Sequence, residues 1–397
     1  MFTLLLALIY AAFISLGLPD SILGAAWPTM QQTLHVPTSW GGILSFLITC
    51  GTIVSSLFSG RMMRHLSTGT LVLCSVACTA VALFGFSCAT QYWQLCLWTI
   101  PYGFGAGAVD AVLNHFVALH CKARHMSWLH CFWGIGATAG PLIMGACLSH
   151  GMFWQNGYRI IAMLQFGLTL ILIFSLPLWR QFTKRNIKQT TVKNTTTRDL
   201  LQISGVPALL LAFFFYSALE LTTGLWGSSY LTQIRDISSD VAANWIALFY
   251  FGITIGRFIS GFLTLRFSDD TMVQIGEAVV LLGIVLICLP LPDIFLCMGL
   301  IGTGLGCAPI YPSLLHATPH TFGTATAQSL IGLQMAVSYL GSTCMPPLSG
   351  FLAQKFSMGI YPFLLLLFAL LLCTMTTCSK RYRNSKKSYA KQGVSQQ

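Results

Sequence analysis

Long apolar runs alternate with short polar segments along almost the whole chain. About twelve runs have the 17 to 25 residues that a helix needs to cross a bilayer. They lie at roughly 4–28, 39–60, 70–89, 93–119, 126–149, 158–179, 205–231, 241–265, 271–290, 294–315, 325–353 and 359–378. The first run is too long for the core of a signal peptide, so we expect it to be a spanning helix. The pattern predicts an all-α integral membrane protein.

The polar segment at 180–200 divides these runs into six and six. We predict an N-terminal six-helix bundle over 1–179, a linker over 180–200, a C-terminal six-helix bundle over 201–379 and a basic tail over 380–397. Shifted by about 200 positions, Asp20 falls on Glu220 and Gly24 on Gly224. Two such repeats, with a binding site between them near the middle of the membrane, are typical of secondary transporters.

Composition agrees with this class, because 55% of the residues are hydrophobic and only 8% are charged. The net charge of +11 comes from Lys and Arg in alternate loops, in the linker and in the tail. This asymmetry follows the positive-inside rule and predicts that both termini are cytoplasmic in a plasma membrane, the inner membrane of a bacterial cell. The basic excess therefore reports topology and contact with anionic lipid, and we expect no nucleic-acid partner.

Few acids lie within the predicted spans, so each is a candidate for function. A carboxylate at membrane depth costs several kcal/mol, and we expect Asp20, Asp110 and Glu220 to bind the coupling cation. Burial favours the protonated form of a carboxyl group, so a proton is the expected cation, and sodium is the alternative. Glu277 also lies in a span, where we expect it to pair with Arg257 or Arg266.

Other polar and aromatic side chains in the spans are candidates for solute binding. Amides and carboxylates can bind hydroxyl groups, and an indole can stack on the apolar face of a sugar ring. The candidates are Asn114, His130, Trp27, Trp133, Glu220, Trp226, Gln328 and Gln334. For each tryptophan, packing or a place in the interfacial aromatic belt is the alternative.

Several motifs carry a resemblance to a known family. Gly256-Arg257-Phe-Ile-Ser-Gly261-Phe followed by Arg266 is similar to the loop 8–9 signature of the major facilitator superfamily. The segment from Gly103 to Asn114, which contains Asp110, and the segment from Leu129 to Pro141 resemble spans 4 and 5 of its fucose:proton symporter and glucose transporter branch. The equivalent first-half segment, Gly60-Arg61-Met-Met-Arg64, lacks the usual acid.

The resemblance implies the major facilitator fold, alternating access and symport of a sugar or similar polar solute with a cation, and a monomer. It implies proton-coupling roles for acids in spans 1 and 4, which Asp20 and Asp110 match, and gating or structural roles for Gly256, Arg257, Gly261, Arg266, Gly140 and Pro141. From its position in span 8, Arg257 is expected to extend to the membrane surface.

Two other functions are weighed against symport. The segment from Gly136 to Gly145 also resembles the span 5 motif of proton-driven drug exporters. A membrane enzyme is disfavoured because the chain has no GxSxG, HExxH or nucleotide-binding loop, and no standard metal-binding pattern. We therefore expect no cofactor other than the coupling ion.

Overall fold

The computed structural model describes residues 2–121, 123–180 and 197–394. These residues form thirteen α-helices and one short 3-10 helix, Met358–Ile360. The helices are α1 Phe2–Leu34, α2 Trp40–His65, α3 Thr68–Cys88, α4 Tyr92–His120, α5 Ala123–Ser149, α6 Trp154–Arg180, α7 Thr197–Leu201, α8 Val206–Ile234, α9 Ser239–Leu263, α10 Asp269–Cys288, α11 Asp293–Phe322, α12 Thr324–Lys355 and α13 Tyr361–Val394. The predicted all-α fold is confirmed.

Twelve of these helices are long, and eleven are also apolar enough to cross a membrane by length and composition. The twelfth, α12, has 32 residues and carries polar side chains along its length, among them Gln334, Ser338 and Thr343. The short helix α7 covers the last residues of the predicted linker, most of which lies outside the described residues. The proposed domain boundaries stay a prediction.

The packing repeats between the two halves of the chain. In the first half α1 packs on α5, α2 on α4, and α3 on both α4 and α6. In the second half α8 packs on α12, α9 on α11, and α10 on both α11 and α13. Each pairing in one half is therefore the counterpart of a pairing in the other. This is the arrangement of two six-helix repeats that the sequence predicts.

Four helix pairs join the halves, namely α1 with α8, α1 with α9, α5 with α9 and α2 with α12. Small residues bring the backbones close at these crossings. A Cβ added to Gly24 of α1 would collide with the backbone of Gly224 in α8. One added to Gly42 of α2 would lie 2.7 Å from the Cα of Pro347 in α12. Close backbone approach of this kind is common where membrane helices pack on small residues.

Contacts between the halves are made at the end of the molecule away from the chain termini. There Ser39 donates a hydrogen bond to Gln354, and Gln233 donates one of 3.4 Å to Thr38. Gly24 and Gly42 make their close approaches on the same side. This end of the interface is closed.

Candidate functional site

Asp20 lies about midway along the membrane-spanning helix α1. Its side chain is exposed, whereas residues 15–19 and 21–28 on both sides of it are all buried. Pro19 precedes it inside the helix and removes one backbone donor. A solvent-accessible space therefore reaches the carboxylate between the two halves. Because the far end is closed, this space opens toward the end that carries the termini.

Close packing of α1 on α5 brings an indole to this carboxylate. Gly17 faces the backbone of Trp133, and Gly136 faces the backbone of Ile14 and Leu18. With no Cβ between them, the two helices approach closely. The Nε1 of Trp133 then donates a hydrogen bond of 2.8 Å to Oδ2 of Asp20.

Trp133 also contacts the second half of the molecule through the face of its ring. The guanidinium carbon of Arg257 in α9 lies 4.9 Å from the ring centroid, within the range of a cation–π interaction. The same guanidinium pairs with Glu220 of α8, with 3.8 Å between Nη2 and Oε1. Its Nη1 donates a hydrogen bond of 3.4 Å to the backbone carbonyl of His130. Arg257 therefore bridges the two halves.

Asp110 forms a second acidic position on α4. The side-chain amide of Asn114, one turn later, donates a hydrogen bond of 2.8 Å to Oδ1 of Asp110. Both residues are half-buried, and Asp110 and Asp20 act on each other electrostatically. The predicted sharing of one helix face by Asp110 and Asn114 is confirmed.

Tyrosines complete this region, and our sequence analysis missed them. Tyr339 of α12 interacts electrostatically with both Asp20 and Asp110, and Tyr311 of α11 with Asp110 and Glu220. Tyr250 of α9 interacts with Asp20 and Glu220. Interfacial tyrosines usually lie near span ends. A tyrosine in the interior of a span was the signal that could have identified these three residues.

The chemistry of this region is that of a polar, acidic binding space. Three carboxyl groups and one guanidinium lie at the junction of the halves, together with phenol, indole and amide groups. Carboxylates accept hydrogen bonds, phenols donate and accept, and aromatic rings cover apolar faces. Such a set has the chemistry to bind a small polar solute and to exchange protons with water.

The whole chain was compared with known protein families. A family model described as the Major Facilitator Superfamily matches residues 9–230 and 208–395. This chain belongs to the major facilitator superfamily. It is a membrane transporter of small solutes and not an enzyme, and the resemblance drawn from its sequence motifs to this superfamily is confirmed.

Two relatives of the transporter illustrate its range of similarity. It is 23% identical over 396 residues to "Bypass of stop codon protein 6" of Saccharomyces cerevisiae, covering 89% of this chain and 77% of the relative. It is 22% identical over 280 residues to the "Glucose/mannose transporter GlcP" of Bacillus subtilis, covering 69% and 70%.

Solved structures share its fold. The nucleoside transporter NupG matches with a TM-score of 0.72 at 15% identity, covering 94% of this chain and 98% of NupG. A bacterial homologue of the human lysosomal transporter Spinster matches with a TM-score of 0.69 at 11% identity, covering 96% and 97%. At these identities the likeness concerns the fold alone.

Several predicted site residues of the transporter come together at the junction of the halves. They are Asp20, Asp110, Asn114, Trp133, His130, Glu220 and Arg257. Of His130, the backbone carbonyl contacts Arg257, while its ring packs edge-on against Phe13 at 6.1 Å.

Two predicted stacking tryptophans lie elsewhere. Trp27 is buried, and its Nε1 donates to the carbonyl of Thr38 at 2.8 Å. Trp226 is buried too, and its Nε1 donates to the carbonyl of Pro346 at 2.8 Å. Neither indole presents a face to the accessible space in this conformation. Both instead join helices near the closed end.

Gln334 of α12, another predicted solute ligand, lies outside the assembled site. Gln334 is fully buried and donates a hydrogen bond of 2.9 Å to Thr318 of α11. This contact joins two helices of the same half, which was the alternative role for a polar residue in a span. The side chain of Gln328 lies outside the part of the chain that the structure describes.

The gating and structural candidates occupy helix crossings and one loop. Gly140, followed by Pro141, faces the backbone of Leu18 in α1, and Gly256 packs against Ala308 of α11. Gly261 has no neighbour within 4 Å of an added Cβ, and Arg266 is exposed after α9. Their predicted gating role stays a prediction.

The expectation that Arg257 extends to the membrane surface is wrong. Its guanidinium turns inward because Glu220 and the face of Trp133 lie within its reach, and its side chain is only 19% exposed. The expected pairing of Glu277 with Arg257 or Arg266 is wrong too. Glu277 accepts a hydrogen bond of 2.6 Å from Thr376 of α13 instead.

Proposed function

We propose that this transporter carries a sugar or similar small polar solute by alternating access, in symport with a proton. The observation that carries the proposal is the accessible Asp20 carboxylate, which lies midway along a spanning helix beside Asp110 and the Arg257–Glu220 pair. An ionisable group at this depth is costly unless it has a function.

The acids support a cation as the coupling partner. Asp20 is reachable from one end of the interface and closed from the other, as alternating access requires of a site that binds and releases a proton. Each reorientation changes which of the two aqueous phases has access to the carboxyl group. A proton is the simplest cation for a single carboxyl group, and sodium is the alternative that the test separates.

The polar lining supports a solute with hydroxyl groups. Glu220 accepts hydrogen bonds, Tyr339 and Tyr311 both donate and accept, and Trp133 offers an aromatic face. The relatives include a protein named as a glucose/mannose transporter and a structural neighbour named as a nucleoside transporter. Glucose, mannose and nucleosides are polyhydroxylated and uncharged.

The distribution of basic residues among the loops predicts how the transporter is oriented in the membrane. If the termini are cytoplasmic, as the distribution of Lys and Arg predicts, the accessible space opens to the cytoplasm and the closed end faces outward. The proposal also includes a monomer in the plasma membrane or bacterial inner membrane. Proton-driven export of drugs or metabolites is the alternative function, and the charged lining disfavours it for apolar drugs.

The test measures sugar-driven proton movement in proteoliposomes that contain a trapped pH dye. We expect D-glucose, D-mannose or uridine added outside to acidify the lumen with wild-type protein. Asp20→Asn and Asp110→Asn should abolish this signal. Asp236→Asn is the matched control, because Asp236 is an exposed loop residue and Asn tolerates its left-handed backbone.

Other outcomes identify the alternatives. Sodium would be the coupling ion if uptake required an imposed sodium gradient and the lumen did not acidify. Proton release coupled to the efflux of a cationic aromatic dye, with no response to the polar solutes, would reject symport in favour of drug export. Full activity in both aspartate variants would reject the carboxylates as the coupling site.

A further inference from the structure

A continuous line of contacts crosses from the first half of the molecule to the second. It runs from Asp20 to the indole nitrogen of Trp133, and from the face of that indole to Arg257. Arg257 then pairs with Glu220. The first two residues belong to the first half and the last two to the second, so the line crosses between the halves at the contact of Trp133 with Arg257.

Trp133 makes its two polar contacts with different parts of one rigid ring. The Nε1–H lies in the ring plane and binds the carboxylate, whereas the cation lies over the ring face. A hydrogen bond to an ionised acceptor is stronger than one to a neutral acceptor. The charge on Asp20 therefore governs how firmly the ring is held in the orientation that Arg257 needs.

We propose that Trp133 is a positioning residue that couples the protonation of Asp20 in one half to the Arg257–Glu220 ion pair in the other. With Asp20 ionised, the indole is fixed and Arg257 stays docked on the first half. When a proton binds Asp20, the hydrogen bond weakens and the indole is released. Arg257 then loses the aromatic face that helps to hold it on the first half, where it keeps its 3.4 Å hydrogen bond to the carbonyl of His130, and this part of the interface between the halves loosens.

Trp133 donates the hydrogen bond that a proton on Asp20 would weaken. Four other groups interact electrostatically with Asp20, namely Asp110 and Tyr102 of α4, Tyr250 of α9 and Tyr339 of α12. The three phenols are uncharged at neutral pH, and Asp110 is already bonded to Asn114. The proposal deepens the proposed proton coupling and rests on it.

The first test separates the two contacts of Trp133 by substitution. Trp133→Phe keeps an aromatic face for Arg257 but removes the N–H donor, and Trp133→Leu removes both. Trp128→Phe is the control, because Trp128 lies on the same helix with an exposed side chain. Each variant is assayed in proteoliposomes for proton-driven D-glucose uptake as a function of pH, and for glucose counterflow, which needs no net proton movement.

We expect Trp133→Phe to change the pH dependence of uptake, whereas counterflow measures any direct loss of solute binding. The pH at which its uptake is half-maximal should shift by about one unit toward higher pH, because the carboxylate has lost a donor that favours its charged form. Trp133→Leu should lose coupled uptake. An unchanged pH profile and proton-to-sugar ratio in Trp133→Phe would overturn the proposal.

A second measurement needs no solute and stands apart from the proposed function. The protein is labelled with 5-fluorotryptophan in nanodiscs, and the ¹⁹F resonance of Trp133 is assigned from its loss in Trp133→Phe. We expect this resonance to titrate between pH 5 and 9 in wild type and to be insensitive to pH in Asp20→Asn. If it does not titrate, or titrates equally in Asp20→Asn, Trp133 does not respond to Asp20, whatever the transporter carries. Absence of sugar-driven proton uptake in wild type, with this titration intact, would instead reject the symport.

Discussion

Gly24 of α1 and Gly224 of α8 meet backbone to backbone where the two halves cross. They occupy equivalent positions in the two repeats, since they lie 200 residues apart and each follows an acid by one turn, Asp20 and Glu220. The crossing therefore fixes the distance between two of the acids of the site. It also contributes to the closed end of the interface.

We predict that Gly24→Ala destabilises the transporter in this conformation. The added Cβ would collide with the backbone of Gly224, which has no flexible side chain to move away. Overpacking of this kind costs about 1–3 kcal/mol. Two quantities are measured, the midpoint of thermal unfolding in detergent and the rate of solute uptake. We expect the midpoint to fall.

The control for this variant is Gly167→Ala. Gly167 lies within α6, is exposed, and has no atom within 4 Å of an added Cβ. Because alanine favours a helix over glycine, its midpoint should stay the same or rise. Equal behaviour of the two variants would refute the close approach at Gly24.

We predict that a cross-link between Ser39→Cys and Gln354→Cys arrests transport. Their side chains are in contact at the closed end in this conformation, so a short bifunctional thiol reagent should hold that end shut. Transport should fall at least tenfold with the reagent. Each single variant and the wild-type protein serve as controls, because native Cys74, Cys88 and Cys344 are exposed.

The accessibility of Asp20 should survive this cross-link, because the opening lies at the other end. This accessibility is measured by adding a water-soluble carbodiimide on the side of the termini and detecting the modification of Asp20 by mass spectrometry. Transport that continues with the link formed would mean that the halves do not separate at Ser39 and Gln354.

We predict that Trp226→Phe lowers stability without changing the apparent affinity for solute. Its indole is buried and binds the Pro346 carbonyl, and the loss of one partner of a buried hydrogen bond costs about 1–3 kcal/mol. Thermal unfolding and the KM for uptake are measured side by side. Trp93→Phe, on an exposed tryptophan, is the control. A large rise in KM with unchanged stability would restore the stacking role that the sequence suggested.

We predict that substitutions of Arg257 and Glu220 are not additive. Arg257→Gln leaves the Glu220 carboxylate without its cation, and breaking a buried ion pair from one side costs about 3–5 kcal/mol. Adding Glu220→Gln should recover most of the lost stability, because the uncompensated charge is gone. A double-mutant cycle on the free energy of unfolding measures the coupling. Strictly additive effects would contradict the pairing.

The sequence located most of the acids and aromatic residues of the site, but not their partners. Membrane depth alone singled out Asp20, Asp110 and Glu220, and helical spacing paired Asp110 with Asn114. Arg257 was assigned to the membrane surface, because spacing along α9 does not reveal which residues of α5 and α8 lie beside it. Trp27 and Trp226 were chosen for their residue type, whereas their packing depends on neighbours far away in sequence.

Hydrophobic run lengths by themselves determined the helical class and the number of long helices, because each helix satisfies its own backbone within the segment that forms it. Glycine positions in equivalent places of the two halves indicated the repeat. Only the tertiary structure decided which end of the interface is closed and which acid meets which partner. Those features depend on contacts between helices of different halves, such as Ser39 with Gln354 and Trp133 with Arg257, and no periodicity along one chain segment encodes them.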